Sequence, residues 1–157
     1  MLEIINLILI TLLPFLELRA SIPYGILNTD LGWPLVFAVC VATNIILGIL
    51  VYLFINYVIH MFLRFKLFRR LYDYYVLRTQ KKIRSGVEKY GEWAIAIFIG
   101  IPLPGSGVYS GAIASEIIGL RFKKFVIATV IGVLIAGAIV TVAVLSGKGV
   151  FQFFVKY

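Results

Sequence analysis

Charge is scarce in this chain. Only 14% of its 157 residues are charged, against roughly 25% in soluble domains. Hydrophobic residues make up 62% and the mean hydropathy is +1.04, which excludes a water-soluble globule. The 12 Phe and 9 Tyr also exclude intrinsic disorder, because they collapse or enter lipid rather than stay solvated. There is one cysteine, Cys40, in an apolar run, so an intrachain disulfide, a CxxC pair and a thiolate metal cage are all unavailable. The one histidine, His60, falls at the end of a span beside basic residues and reads as interfacial rather than as a metal ligand. Ser106, between Gly105 and Gly107, lacks both the G-x-S-x-G pattern and an evident base. Neither an enzyme nor a cofactor is expected. The chain reads as one all-α polytopic membrane domain over 1–157, with room for at most four or five crossings at about 20 residues each.

What charge there is leans to one sign, with 15 Lys and Arg against 7 Asp and Glu. The net charge is +8, but the basic residues border membrane segments, so the expected partner is the lipid surface and not nucleic acid. Arg64, Lys66, Arg69, Arg70, Arg78, Lys81, Lys82, Arg84 and Lys89 fall in one segment, 60–92. Arg121, Lys123 and Lys124 form a second cluster. Positive residues prefer the cytoplasmic face of a plasma membrane protein. Within 60–92, Phe65, Phe68, Tyr72, Val76, Ile83, Val87 and Tyr90 recur at helical spacing, as in an amphipathic helix lying on anionic headgroups. The plainer reading is a topology determinant.

Residues 35–55 and 125–145 are uninterrupted apolar runs, each long enough to be a transmembrane helix. The segment before each one is different. Segment 2–27 carries Pro14, Glu17, Arg19, Ser21 and Pro23 within its apolar run, and segment 93–120 carries Pro102, Pro104, Gly105, Ser106 and Gly107. A charge at the bilayer centre costs about 2.5–3.5 kcal/mol on insertion scales. Two re-entrant helical hairpins avoid straight crossings with such residues at mid-depth. The charge clusters agree, since re-entry of 93–120 keeps both on the cytoplasmic side and leaves both termini outside.

The chain then divides into 1–59, hairpin plus helix; 60–92, basic linker; and 93–157, hairpin plus helix in the opposite orientation. This is an inverted repeat. Gly25-Ile26-Leu27-Asn28-Thr29-Asp30-Leu31 echoes Gly111-Ala112-Ile113-Ala114-Ser115-Glu116-Ile117. The polar tips of the two hairpins are expected to meet inside the protein. There Arg19 and the turn Pro104-Gly105-Ser106-Gly107 with Ser110 would bind an anionic head, the N–H groups of the returning half-helix adding to the guanidinium. Glu17 is the natural proton carrier, with Asp30 and Glu116 as carboxylates near the hairpin mouths. A Glu17–Arg19 pair that only stabilises the hairpin is the competing reading. Pro14, Pro23, Gly25, Pro102 and Gly111 shape the breaks, and Asn44 bonds across helices. So thin a bundle is expected to associate, most simply as a dimer.

Pro14-Phe15-Leu16-Glu17-Leu18-Arg19-Ala20-Ser21-Ile22-Pro23-Tyr24-Gly25 and Ile101-Pro102-Leu103-Pro104-Gly105-Ser106-Gly107-Val108-Tyr109-Ser110-Gly111 resemble a motif pair of the putative small multidrug export protein family. The resemblance extends through Gly132-Val133-Leu134-Ile135-Ala136-Gly137. That family is similar to the DedA, or VTT-domain, superfamily, and the likeness implies two facing re-entrant hairpins and a polyprenyl-phosphate translocase or lipid scramblase activity. DedA proteins carry arginines around the second motif, whereas here the arginine is in the first. The leading expectation is therefore a translocase of a phosphate-bearing amphiphile, proton-coupled through Glu17. The alternatives are an exporter of small cationic compounds using Glu17 with Tyr109, and a noncatalytic membrane scaffold.

Overall fold

A computed structural model describes residues 2–14, 16–62, 64, 78–103 and 105–155, with the side chains of 78–85, 88 and 148–155 outside the description. Pro104 and basic residues Lys66, Arg69 and Arg70 lie outside it, as does 65–77 of the expected amphipathic helix. The described residues form six helices: α1 (Leu2–Leu12), α2 (Glu17–Asn28), α3 (Trp33–Phe62), α4 (Arg78–Gly100), α5 (Val108–Ile118) and α6 (Phe122–Val155).

Helix length follows the distribution of breakers. α3 and α6 lack internal proline beyond the first turn and are long and apolar enough to cross a membrane. Both exceed the expected 35–55 and 125–145 because flanking interfacial residues continue the same hydrogen-bonded ladder. α1, α2 and α5 stop after 11 or 12 residues, about 17 Å at 1.5 Å per residue and half a hydrocarbon core. α1 ends just before Pro14, while Pro102, Gly105 and Gly107 separate α4 from α5. Two expectations need correction. Pro23 lies inside α2 rather than at a break, its missing N–H omitting one ladder bond. The basic linker and the second hairpin share one helix, since α4 runs unbroken from Arg78 into the apolar stretch ending at Gly100.

Each pair of short segments folds back on itself. A Cβ on Gly25 of α2 would stand 2.9 Å from Leu7 of α1, and one on Gly111 of α5 would stand 2.7 Å from Ile99 of α4. The two glycines aligned by the sequence echo thus let the same pair of elements close in each half. At the open end of the second hairpin, Glu92 and Lys124 pair at 3.6 Å, so the chain enters and leaves 93–120 at one end of the bundle. The long helices run antiparallel: Gly48 faces Thr129, Gly137 faces Phe37 and Val41, and the Tyr52 ring stacks on Phe125 at 4.5 Å. α2 packs on α6 and α5 on α3, so each returning helix leans on the long helix of the other half. Exchanging the halves leaves the set of principal packed pairs unchanged.

The surface carries the apolar side chains and the interior carries many of the polar ones. Ile46, Phe54 and Val142 are more than half exposed, whereas Thr11, Glu17, Ser21, Asn44, Ser115 and Thr129 are buried beside Leu18, Ile22, Val108 and Phe125. That distribution suits a lipid environment and, with two spanning-length helices, marks a membrane protein. Close packing of α6 on α4 depends on Gly132, where a Cβ would lie 2.7 Å from the Ala96 carbonyl oxygen, a backbone atom that cannot swing aside. Gly132→Val is expected to cost about 1–3 kcal/mol by overpacking. Thermal unfolding in detergent would register it as a lowered midpoint, and an unchanged midpoint would contradict this packing.

Candidate site where the two breaks meet

The first break turns tightly. Leu16 and Glu17 both donate backbone N–H groups to Leu13 O, at 3.3 and 3.2 Å, and the chain enters α2 with Glu17 at φ +46°. A left-handed conformation costs a residue with a Cβ about 1–2 kcal/mol, so something must hold Glu17 there. Its carboxylate is buried, 5% exposed, and its Oε2 accepts from the Val108 backbone N–H at 3.2 Å and from Asn44 Nδ2 at 3.4 Å. Val108 is the first residue of α5, so the carboxylate caps a helix of the other half and meets the positive end of its dipole. Gly107 makes the approach feasible: a Cβ there would stand 2.5 Å from both carboxylate oxygens.

The second break is organised by two serines. Ser106 Oγ donates to Ile101 O at 2.5 Å and accepts from Leu103 N at 3.3 Å. Ser110 Oγ accepts from Gly107 N at 3.1 Å and donates to Gly105 O at 2.5 Å, capping α5. Gly105 sits at φ +87°, where a side chain is disfavoured. Arg19, two residues after Glu17 and on a different face of α2, donates from Nη1 to Leu103 O and from Nη2 to Ser106 Oγ at 3.1 Å. From the opposite side Tyr109 OH donates to Leu12 O, the last carbonyl of α1, at 2.7 Å. The two charges of the first break are therefore committed to the backbone and side chains of the second.

A cavity of about 260 Å³ opens at this junction, lined by Pro14, Glu17, Arg19, Gly105, Ser106, Gly107, Tyr109, Ser110 and Ile113. Of the expected site residues, Pro14, Glu17, Arg19, Gly105, Ser106, Gly107 and Ser110 are among these. The first-turn N–H of α5, assigned from the sequence to a bound anion, is taken by the chain's own Glu17. Asp30 is exposed in the link between α2 and α3, and Glu116 lies in the last turn of α5 with Asn56 Nδ2 donating to it at 3.2 Å; neither lines the cavity. Gly25 and Gly111 work in helix packing instead, and Pro102 in the turn. Sequence reasoning missed Ile113 as a lining residue, and it missed the partnership of Glu17 with Asn44, which nothing local in either segment signals.

Comparison with known proteins gives one result of substance. No curated protein and no solved structure matches the chain. A family model described as putative small multi-drug export protein matches residues 17–139, from the buried glutamate that closes the first break through the second break and the glycine-marked part of α6. The chain belongs to this family of putative small multi-drug export proteins.

Proposed function

We propose that the protein is a transporter that moves small amphiphilic compounds across the membrane through the cavity between two re-entrant hairpin tips, with Glu17 as the group that exchanges a proton for substrate. The carrying observation is the Glu17 carboxylate, buried in the cavity wall and held by two neutral donors at 3.2 and 3.4 Å. Those distances lie at the long end of the hydrogen-bond range, so a proton or an incoming cation competes with modest bonds. Depth supports the reading. Exposed Trp33 and Tyr57 mark two levels of α3 about 36 Å apart at 1.5 Å per residue, and Asn44, which touches Glu17, lies near the middle. The unchanged set of packed pairs under exchange of the halves supports an inverted repeat.

A second reading has its own observation. Arg19 is half-buried, lines the cavity and uses two of its five N–H donors in the bonds described, leaving donors for a phosphate beside exposed Leu16 and Leu103. This is the geometry of an amphiphile with an anionic head, as the likeness to DedA proteins implies. Proteoliposomes separate the two. Glu17→Gln is expected to abolish pH-driven ethidium movement, because the amide keeps the shape but cannot take up the proton. Continued pH-driven ethidium transport by that variant would defeat the export reading, and flipping of a labelled polyprenyl phosphate that depends on Arg19 would establish the second.

A further inference from the structure

The cavity has a buried floor and an exposed apolar rim. Glu17, Ser106 and Gly107 line it and are buried, whereas Pro14, Gly105 and Ile113 line it and are exposed. The rim continues onto the outer surface of both breaks, where Leu12, Leu13, Leu16, Ile101 and Leu103 are each between 39% and 59% exposed. A charged floor therefore opens onto a surface of aliphatic side chains.

The backbone at this surface is served by the chain itself. Leu12 O accepts from Tyr109 OH at 2.7 Å, and Leu13 O from the Leu16 and Glu17 N–H groups at 3.3 and 3.2 Å. In the second break Ile101 O accepts from Ser106 Oγ at 2.5 Å, Leu103 O from Arg19 Nη1 and from the Ser106 N–H at 3.1 Å, and Gly105 O from Ser110 Oγ at 2.5 Å. Irregular backbone is costly in hydrocarbon unless protein groups satisfy it. Water would serve the same carbonyls with no side chain committed to them. Here two serines, a tyrosine and an arginine are committed, which is what breaks facing lipid require.

Depth and direction follow from the contacts. Glu17 touches Asn44, near the middle of α3 between Trp33 and Tyr57, so the cavity lies at mid-depth. Along the membrane normal the hairpins occupy both ways out, because their half-length helices meet end to end. Tyr109 in the first turn of α5 bonds the last carbonyl of α1, and Arg19 in the first turn of α2 bonds Leu103 just past α4. The exposed rim is what remains, and it faces sideways. We propose that the cavity opens laterally into the hydrocarbon of the bilayer and that substrate enters from there. That substrate is a lipid-soluble cation whose head reaches Glu17 while its alkyl part stays among the acyl chains, against Leu16, Leu103 and Ile113. The entry route rests on the export reading and its re-entrant hairpins.

Nitroxide labels on Leu103→Cys and Ile113→Cys, each in a Cys40→Ser background of the full chain in lipid bilayers, test the opening. Oxygen concentrates in hydrocarbon, and a nickel chelate stays in water. Both labels are expected to collide with oxygen as often as a label on Ile46→Cys, an exposed position of α3 about 3 Å along the axis from Asn44, and to be shielded from the chelate. Access by the chelate makes the mouth aqueous and overturns the proposal. Exclusion of both reagents means that protein, such as a second copy, covers the mouth, and overturns it equally. Proteoliposome flux of alkyltrimethylammonium ions tests the substrate. From hexyl to dodecyl, the half-saturating aqueous concentration is expected to fall about fourfold per added methylene, equivalent to about 0.8 kcal/mol per CH₂ moved from water into hydrocarbon. A gain that stops once the tail outgrows a cavity of about 260 Å³ overturns entry from lipid. Absence of flux in the parent overturns the export reading and the substrate named here, while lipid-facing labels would still establish the lateral opening.

Discussion

Gly107→Ala is expected to abolish transport and to destabilise the protein, although it adds one methyl group to extended backbone. The new Cβ would stand 2.5 Å from both Glu17 oxygens and 2.7 Å from Cδ, so the carboxylate must leave the N-terminus of α5. It then gives up the Val108 N–H while Glu17 remains in its left-handed conformation. Overpacking and a stranded buried carboxylate together cost about 2–4 kcal/mol. The remedy is specific. Glu17→Asp shortens the side chain by one methylene, so the double variant should lose less stability than the two single changes sum to. Thermal unfolding and ethidium flux measured over this double-mutant cycle check the contact, and additive losses would remove Gly107 from the site.

Arg19→Ala carries the second large effect. The guanidinium ties the second break to the first by donating to Leu103 O and Ser106 Oγ. Its removal leaves a turn with Gly105 at positive φ and two serines as the remaining local order. Hydrogen bonds to charged groups are worth about 1.5–3 kcal/mol, reduced here because Arg19 is only half-buried. The expected result is a loss of transport with a clear increase in amide hydrogen exchange at 101–108. Arg19→Lys should recover little, since an ammonium lacks the fork that reaches both acceptors. Exchange at 101–108 that stays at the parent level in Arg19→Ala would show that the second break holds itself.

The sequence made the arrangement of elements legible through its interruptions. Apolar runs give helices, and Pro14, Pro102, Gly105 and Gly107 in otherwise spanning-length runs mark where those helices stop. Charge at mid-run, Glu17 and Arg19, marks the polar junction. Pro23 misleads because proline breaks helices only when the local ladder and packing cannot absorb its missing bond, and in α2 they absorb it. The α4 boundary misleads for a related reason: a change from polar to apolar composition moves a helix from one environment to another without ending it. Partner choice is not legible at all. The alignment of Glu17 with Val108 and Asn44 depends on how α2, α3 and α5 pack, and no spacing along the chain encodes it. An anion-binding helix N-terminus is readable from Gly-Ser-Gly; that the anion is supplied by the same chain is not.

We propose that residues 93–120, the apolar end of α4 followed by α5, dip into the membrane and return to the side they left. Single cysteines placed by Lys89→Cys, Lys123→Cys and Asp30→Cys, each in a Cys40→Ser background, can be labelled in intact cells with a membrane-impermeant maleimide. The account predicts that Lys89→Cys and Lys123→Cys share one pattern of protection and that Asp30→Cys shows the opposite one. Labelling of Lys89→Cys and Lys123→Cys from opposite sides would make residues 93–120 a full crossing and contradict it.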